Sequence, residues 1–171
     1  MSNIILQNWY QLDFEMQNCT ENLLRVDEVI EMLRNKGLIS KWFFLWERRT
    51  IRVRMESDNR AELEKEINKL SQEKGLRLDD KLTFSSYHEE DQYFFDEAIV
   101  EAFANIMSEV TKITVKKAKR EIQFDNYIIM ERLSHCIFLS FAWLSGKPES
   151  HFLIRRILEQ VGMDRDFESR I

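Results

Sequence analysis

Over its first 90 residues this chain changes the period of its apolar pattern in a fixed order: strand, helix, strand, strand, helix, strand. That order narrows the possible folds more than any other feature, because period two and period 3.6 bury different faces of the backbone. Residues 4 to 16, "IILQNWYQLDFEM", partly alternate apolar with polar residues and read as a first strand. Thr20 is a plausible cap for a helix carrying Leu23, Val26, Ile30 and Leu33 at helical spacing, and Gly37 is a natural stop. "WFFLWERRTIRVRM", residues 42 to 55, sets two β-forming runs on either side of "ERR" and reads as a hairpin. In "SDNRAELEKEINKLSQEKG" (57 to 75), Ser57 or Asp58 can cap a helix striped by Leu63, Ile67 and Leu70 and ended by Gly75. A fourth strand is expected at 82 to 88. The pattern predicts an α+β fold: a ferredoxin-like βαββαβ antiparallel sheet sandwich, with both helices on one face.

Beyond residue 90 the pattern turns helical, with helices expected at 94 to 112, about 118 to 145, and 148 to 162. Pro148 suits a helical first turn after a stop at Gly146. The sandwich is therefore followed by a C-terminal bundle of about three helices. With four Gly and one Pro among 171 residues there is little room for linker. One domain is expected over 1–171, divided into an α+β half (1–90) and a helical half (91–171).

Several function classes are excluded at this level. The net charge of −5 argues against direct nucleic-acid binding. The basic run "TKITVKKAKRE" (111 to 121) offers cations for phosphate, as in RNA, but has no interleaved aromatics to stack on bases, and its plainer reading is a solvated linker or helix end. No uncharged apolar run reaches the roughly 18 residues of a membrane span. Glu131, Arg132 and His135 interrupt the nearest approach, at 128 to 144. The N-terminus lacks a secretory signal pattern, and Cys19 and Cys136 are isolated thiols, so a reduced, cytoplasmic protein without a disulfide is expected. His88 with Glu89, Glu90 and Asp91 lacks converging ligands, so no metal is expected; nor is any cofactor, since no phosphate-cradling or dinucleotide motif is present.

Two features carry chemistry. Arg52 and Arg54 lie two apart on a strand, so both project from one face while Ile51, Val53 and Met55 point the other way. With helices on one side only, that face is open, and two guanidinium forks on it can hold a carboxylate. The plainer reading is a solvated basic face paired with Glu47 or Glu56. His135 lies on the apolar helix, as a hydrogen-bonded core histidine or as a proton carrier.

The succession of "KWFFLW", "IRVRM", "FSSYHEEDQYF" entering a helix, and "ERLSHCIFLSF" resembles the C-terminal, glutamate-elimination domain of lantibiotic dehydratases. That domain also stands alone as a thiopeptide-type bacteriocin biosynthesis domain, and the likeness covers about residues 4 to 160. The resemblance implies maturation of a glutamylated or dehydrated precursor peptide by β-elimination or a related step. A base removes the α-proton, glutamate leaves, and cations hold the glutamyl group and the developing enolate. Carried over by position, it implies catalytic roles for Arg54, Arg52 and His135, and substrate contacts for Tyr87, Gln92 and Arg132. Gln92 stands where the family motif has an arginine, Phe94 and Phe95 replace its glycine pair, and the asparagine expected after the histidine is missing.

Two readings of function follow, beside the plainer one of a structural protein unrelated to peptide maturation. One is a lyase-type elimination domain of antibiotic biosynthesis. The other is a noncatalytic partner that binds the precursor peptide, a glutamylating or other biosynthetic enzyme, or a second copy of itself as a homodimer. For the second reading the aromatic strand "KWFFLW" is the expected contact surface.

Overall fold

The computed structural model describes residues 3–16, 18–47, 49–78, 84–90 and 97–123. Within them lie four strands and three helices: β1 (Asn3–Glu15), α1 (Cys19–Asn35), β2 (Trp42–Trp46), β3 (Thr50–Glu56), α2 (Arg60–Glu73), β4 (Ser85–Glu90) and α3 (Glu97–Ala118). The strands form one sheet in the order β2-β3-β1-β4, and every neighbouring pair is antiparallel. The architecture is mixed α+β.

The two early helices start and stop by local chemistry. Asn18 caps α1 by accepting the Glu21 N–H at 3.2 Å, and Asn59 caps α2 by accepting the Glu62 N–H at 3.2 Å. The caps are therefore not Thr20, Ser57 or Asp58: an asparagine oxygen satisfies the orphan N–H groups as well as a hydroxyl or carboxylate does. Both helices end as expected, at Gly37 (φ +69) and Gly75 (φ +67). At each stop the next residue donates back five positions, Leu38 N–H to Leu33 O at 3.0 Å and Leu76 N–H to Ser71 O at 2.9 Å. That closure needs a left-handed residue, which glycine enters without a Cβ clash.

The first strand is not a simple alternation. Asn8 takes a positive φ of 60°, and the pairing with β4 shifts register between Ile5 and Tyr10. This bulge explains the partial pattern in the sequence. Leu6 before it and Trp9 after it join the same core, although their positions differ by an odd number. From Trp9 onward the odd residues of β1 face one way and Leu12 and Phe14 the other.

Each face of the sheet has its own core. On one, Leu12, Phe14, Phe44, Ile51, Val53 and Met55 pack against the stripes of α1 (Leu23, Val26, Ile30, Leu33) and α2 (Leu63, Ile67, Leu70). On the other, Leu6, Trp9, Phe43, Leu45 and Tyr87 pack against Val100, Phe103, Ala104, Met107 and Val110 of α3. The sequence places α1 and α2 on one face correctly, but the opposite face is not open: α3 covers it. Its last turns then pass the β2 edge, so that Val115 and Ala118 join the α1–α2 side. At the crossing, the Thr111 hydroxyl accepts the Phe44 backbone N–H at 3.4 Å, occupying a donor that an edge strand would otherwise present.

The helix expected at 94–112 thus runs on to Ala118, and most of the basic run at 111–121 is helix rather than linker, with Thr111, Thr114 and Val115 buried. Arg120, at φ 61°, closes the turn after it, so no helix starts at 118. The remainder of the expected helices at 118–145 and 148–162 lies outside the described residues. No described helix is long and apolar enough to cross a membrane.

Candidate functional site

The chemistry-bearing side chains gather on the sheet face beneath α3. Antiparallel register puts Gln11 of β1 opposite Arg54 of β3 and Asp13 opposite Arg52, while Phe43 and Leu45 of β2 flank the same two arginines from the other side. A polar row therefore crosses the middle of an otherwise aromatic and aliphatic layer.

Arg52 is gripped from within the fold. Its Nε and Nη2 donate to the two carboxylate oxygens of Asp13 at 2.8 and 2.9 Å, a bidentate fork. Thr50 adds its hydroxyl to Asp13 at 3.3 Å, and Arg52 Nη1 reaches Glu47 at 3.4 Å. Asp13 is only 2% exposed. Of the two partners expected from sequence, Glu47 is within reach of Arg52, whereas Glu56 lies beside Lys41 at 3.8 Å.

Arg54 is deeper, at 4% exposure. Its Nε donates to the Gln11 side-chain oxygen at 3.2 Å. Its guanidinium carbon sits 4.1 Å from the ring centre of Tyr87 and 5.6 Å from that of Phe43. Trp9, Phe43 and Tyr87 meet edge-on or tilted at 5.6 to 6.1 Å, and Phe103 of α3 closes on Phe43 at 5.9 Å. Negative ring faces toward a buried cation stabilise it by up to about 2 kcal/mol when water is excluded.

The sequence-derived candidates divide accordingly. Arg54 and Tyr87 meet directly, and Arg52 lies along the same strand but turns to Asp13. Gln92, Arg132 and His135 lie outside the described residues. The basic face is not open: Arg54 is buried and Arg52 keeps about a fifth of its side chain exposed. Nor is "KWFFLW" an exposed contact surface, since Trp42, Phe43, Phe44 and Leu45 are all buried inside the fold. Among the described residues no group of three or more His, Cys, Asp or Glu side chains could hold a metal.

Asp13 and Gln11 are the partners of the two arginines that sequence reasoning passed over. Their signal is present in "QLDF", where polar residues two apart on β1 mirror the two arginines on β3. Reading it requires knowing that these strands are neighbours in this register. No protein-family model matches the chain, and no curated protein matches it.

Proposed function

We propose that this chain is a noncatalytic partner in ribosomal peptide natural-product maturation, on the ferredoxin-like frame of the elimination domains it resembles. The element order, the antiparallel strand order β2-β3-β1-β4 and the placement of α1 and α2 on one face support that frame. One observation carries the choice between the two readings of function. Both arginines of the "IRVRM" strand are engaged by groups of the protein itself, Arg52 by Asp13 and Arg54 by Gln11 and two rings, under a helix. A glutamyl carboxylate would have to displace a buried aspartate to reach the Arg52 fork, and to part α3 from the sheet to reach Arg54. In this reading the arginines hold the layer together, and the protein acts by binding a precursor peptide or a biosynthetic enzyme.

The elimination reading keeps one observation in its favour, the direct contact of Arg54 with Tyr87 at 4.1 Å, both of them residues that the resemblance points to. Incubating the purified chain with a peptide carrying glutamylated serine, followed by mass spectrometry, separates the two. The expected result is an intact peptide, with or without a stable complex. Loss of glutamate with formation of dehydroalanine, abolished in a folded Arg54→Lys variant, would overturn the noncatalytic reading.

A further inference from the structure

A second polar site lies away from the sheet face described above. The last turn of α1, the loop entering β2 and the middle of α3 enclose a cleft of about 160 Å³, lined among others by Arg34, Ser40, Lys41, Asn105, Glu109 and Lys112. On α3 these contributors follow helical spacing, so Asn105, Glu109 and Lys112 fall on one face turned to Arg34 and Lys41. Three cations thus converge on the cleft, with Glu109 in its lining and Glu31 and Glu56 beside Arg34 and Lys41, in a chain whose overall charge is −5.

Their present contacts are of the weak, exchangeable kind. Arg34 meets Glu31 at 2.9 Å and Lys112 meets Glu109 at 2.6 Å, both one helical turn away, with carboxylates 48% and 69% exposed. Exposed pairs of this sort are weak, so their cations can turn to a better acceptor. Lys41 is better placed: its Nζ donates to the Asn105 side-chain oxygen at 2.8 Å, which holds the ammonium at the cleft, and the Glu56 carboxylate stands off at 3.8 Å. A planar fork and two point charges on three firm elements make a receptor for an oxyanion. The volume is below the roughly 300–1,000 Å³ of sites that enclose a whole drug-sized ligand, so the cleft fits one charged group and not an entire cofactor.

We infer that this cleft is an anion-binding site that takes the carboxylate or phosphate group of a ligand between Arg34, Lys41 and Lys112. The inference is independent of the proposed function, since none of these residues belongs to the polar row of the sheet. Backbone amide shifts of the isotope-labelled full chain, followed during titration with inorganic phosphate and separately with glutarate at constant ionic strength, test it. Saturable shifts confined to residues 34–41 and 105–112 are expected. Arg34→Gln and Lys112→Gln should each weaken binding about tenfold, the scale of one charge-assisted hydrogen bond. Lys65→Gln, on the exposed side of α2, should leave binding unchanged, and the unliganded spectra report that each variant is folded. A preference for phosphate or for glutarate assigns the group. Shifts that do not saturate, that spread over the surface, or that survive both substitutions would overturn the site.

Discussion

The two faces of the sheet solve the same packing problem with different materials. Toward α1 and α2, β3 offers Ile51, Val53 and Met55, and its side of the layer is apolar. Toward α3 the same strand offers Arg52 and Arg54, and the layer is a ring of aromatics around a row of charge and amide. An apolar face stabilises by area alone and tolerates small errors of register. A buried polar row contributes little net energy, since desolvation offsets most of its attraction, but it is intolerant of mispairing: a slip of β1 by one residue would part Asp13 from Arg52 and break the fork between them. The first face supplies stability, and the second specifies how the strands align.

That contrast can be broken experimentally, most strongly at its centre. Asp13→Ala should destabilise the fold by about 3 kcal/mol, because it leaves the Arg52 guanidinium, 21% exposed, without its fork. Replacing both partners, Asp13→Leu with Arg52→Met, should recover most of the loss. Urea unfolding midpoints of the three proteins measure this, and a double variant as unstable as the single would show the row to be a source of stability after all. A smaller effect is expected where α3 passes between the faces. Thr111→Val removes the acceptor of the Phe44 N–H and should cost about 1 kcal/mol, with faster amide exchange at Phe44, while Thr111→Ser should keep both near native values.

The mildest test is electrostatic and sits at the far end of α3. Lys119 reaches Asp27 of α1 at 2.6 Å, and the two groups benefit unequally. Burial raises the Asp27 pKa above its ordinary value of 3.8 despite Lys119, whereas contact with Asp27 raises that of the exposed Lys119 above 10.5. A carboxyl that binds its proton more tightly when folded adds stability below its unfolded pKa and loses it as pH rises through the folded one. Wild type should therefore gain on Asp27→Asn as pH falls from neutrality into the carboxylate range. Lys119 acts in its own range: its contribution is present below 10.5 and is lost as pH rises beyond that value. Midpoints of both proteins across pH give the difference curve, and a curve of opposite slope on the acid side would remove the burial argument.

Local features of this fold were legible in the sequence, and non-local ones were not. The stripe Leu63, Ile67, Leu70, the hairpin at 42 to 55 and the glycine stops at 37 and 75 depend on residues within a turn or two of each other. So does the shared face of Arg52 and Arg54. What covers that face depends on α3, whose apolar stripe states that it is buried without stating against which layer. Asp13 became visible as the partner of Arg52 only through the register of β1 with β3, in a strand whose alternation slips at Asn8. The capping asparagines were missed for a different reason: several competent cap residues stand side by side at each helix start, and only geometry chooses among them. His135, for which the resemblance implies a catalytic role, lies outside the described residues.

The contact between Phe44 and Thr111 also has a consequence for biogenesis. It joins residues 67 positions apart, so a ribosome making this protein releases the aromatic strand "WFFLW" long before the residue that shields its edge exists. During that interval the nascent chain carries a short, uncharged, β-prone segment with open hydrogen-bonding groups, the kind of sequence that seeds aggregation between neighbouring chains. The charges of "ERR" directly after it are well placed to act as gatekeepers until α3 emerges.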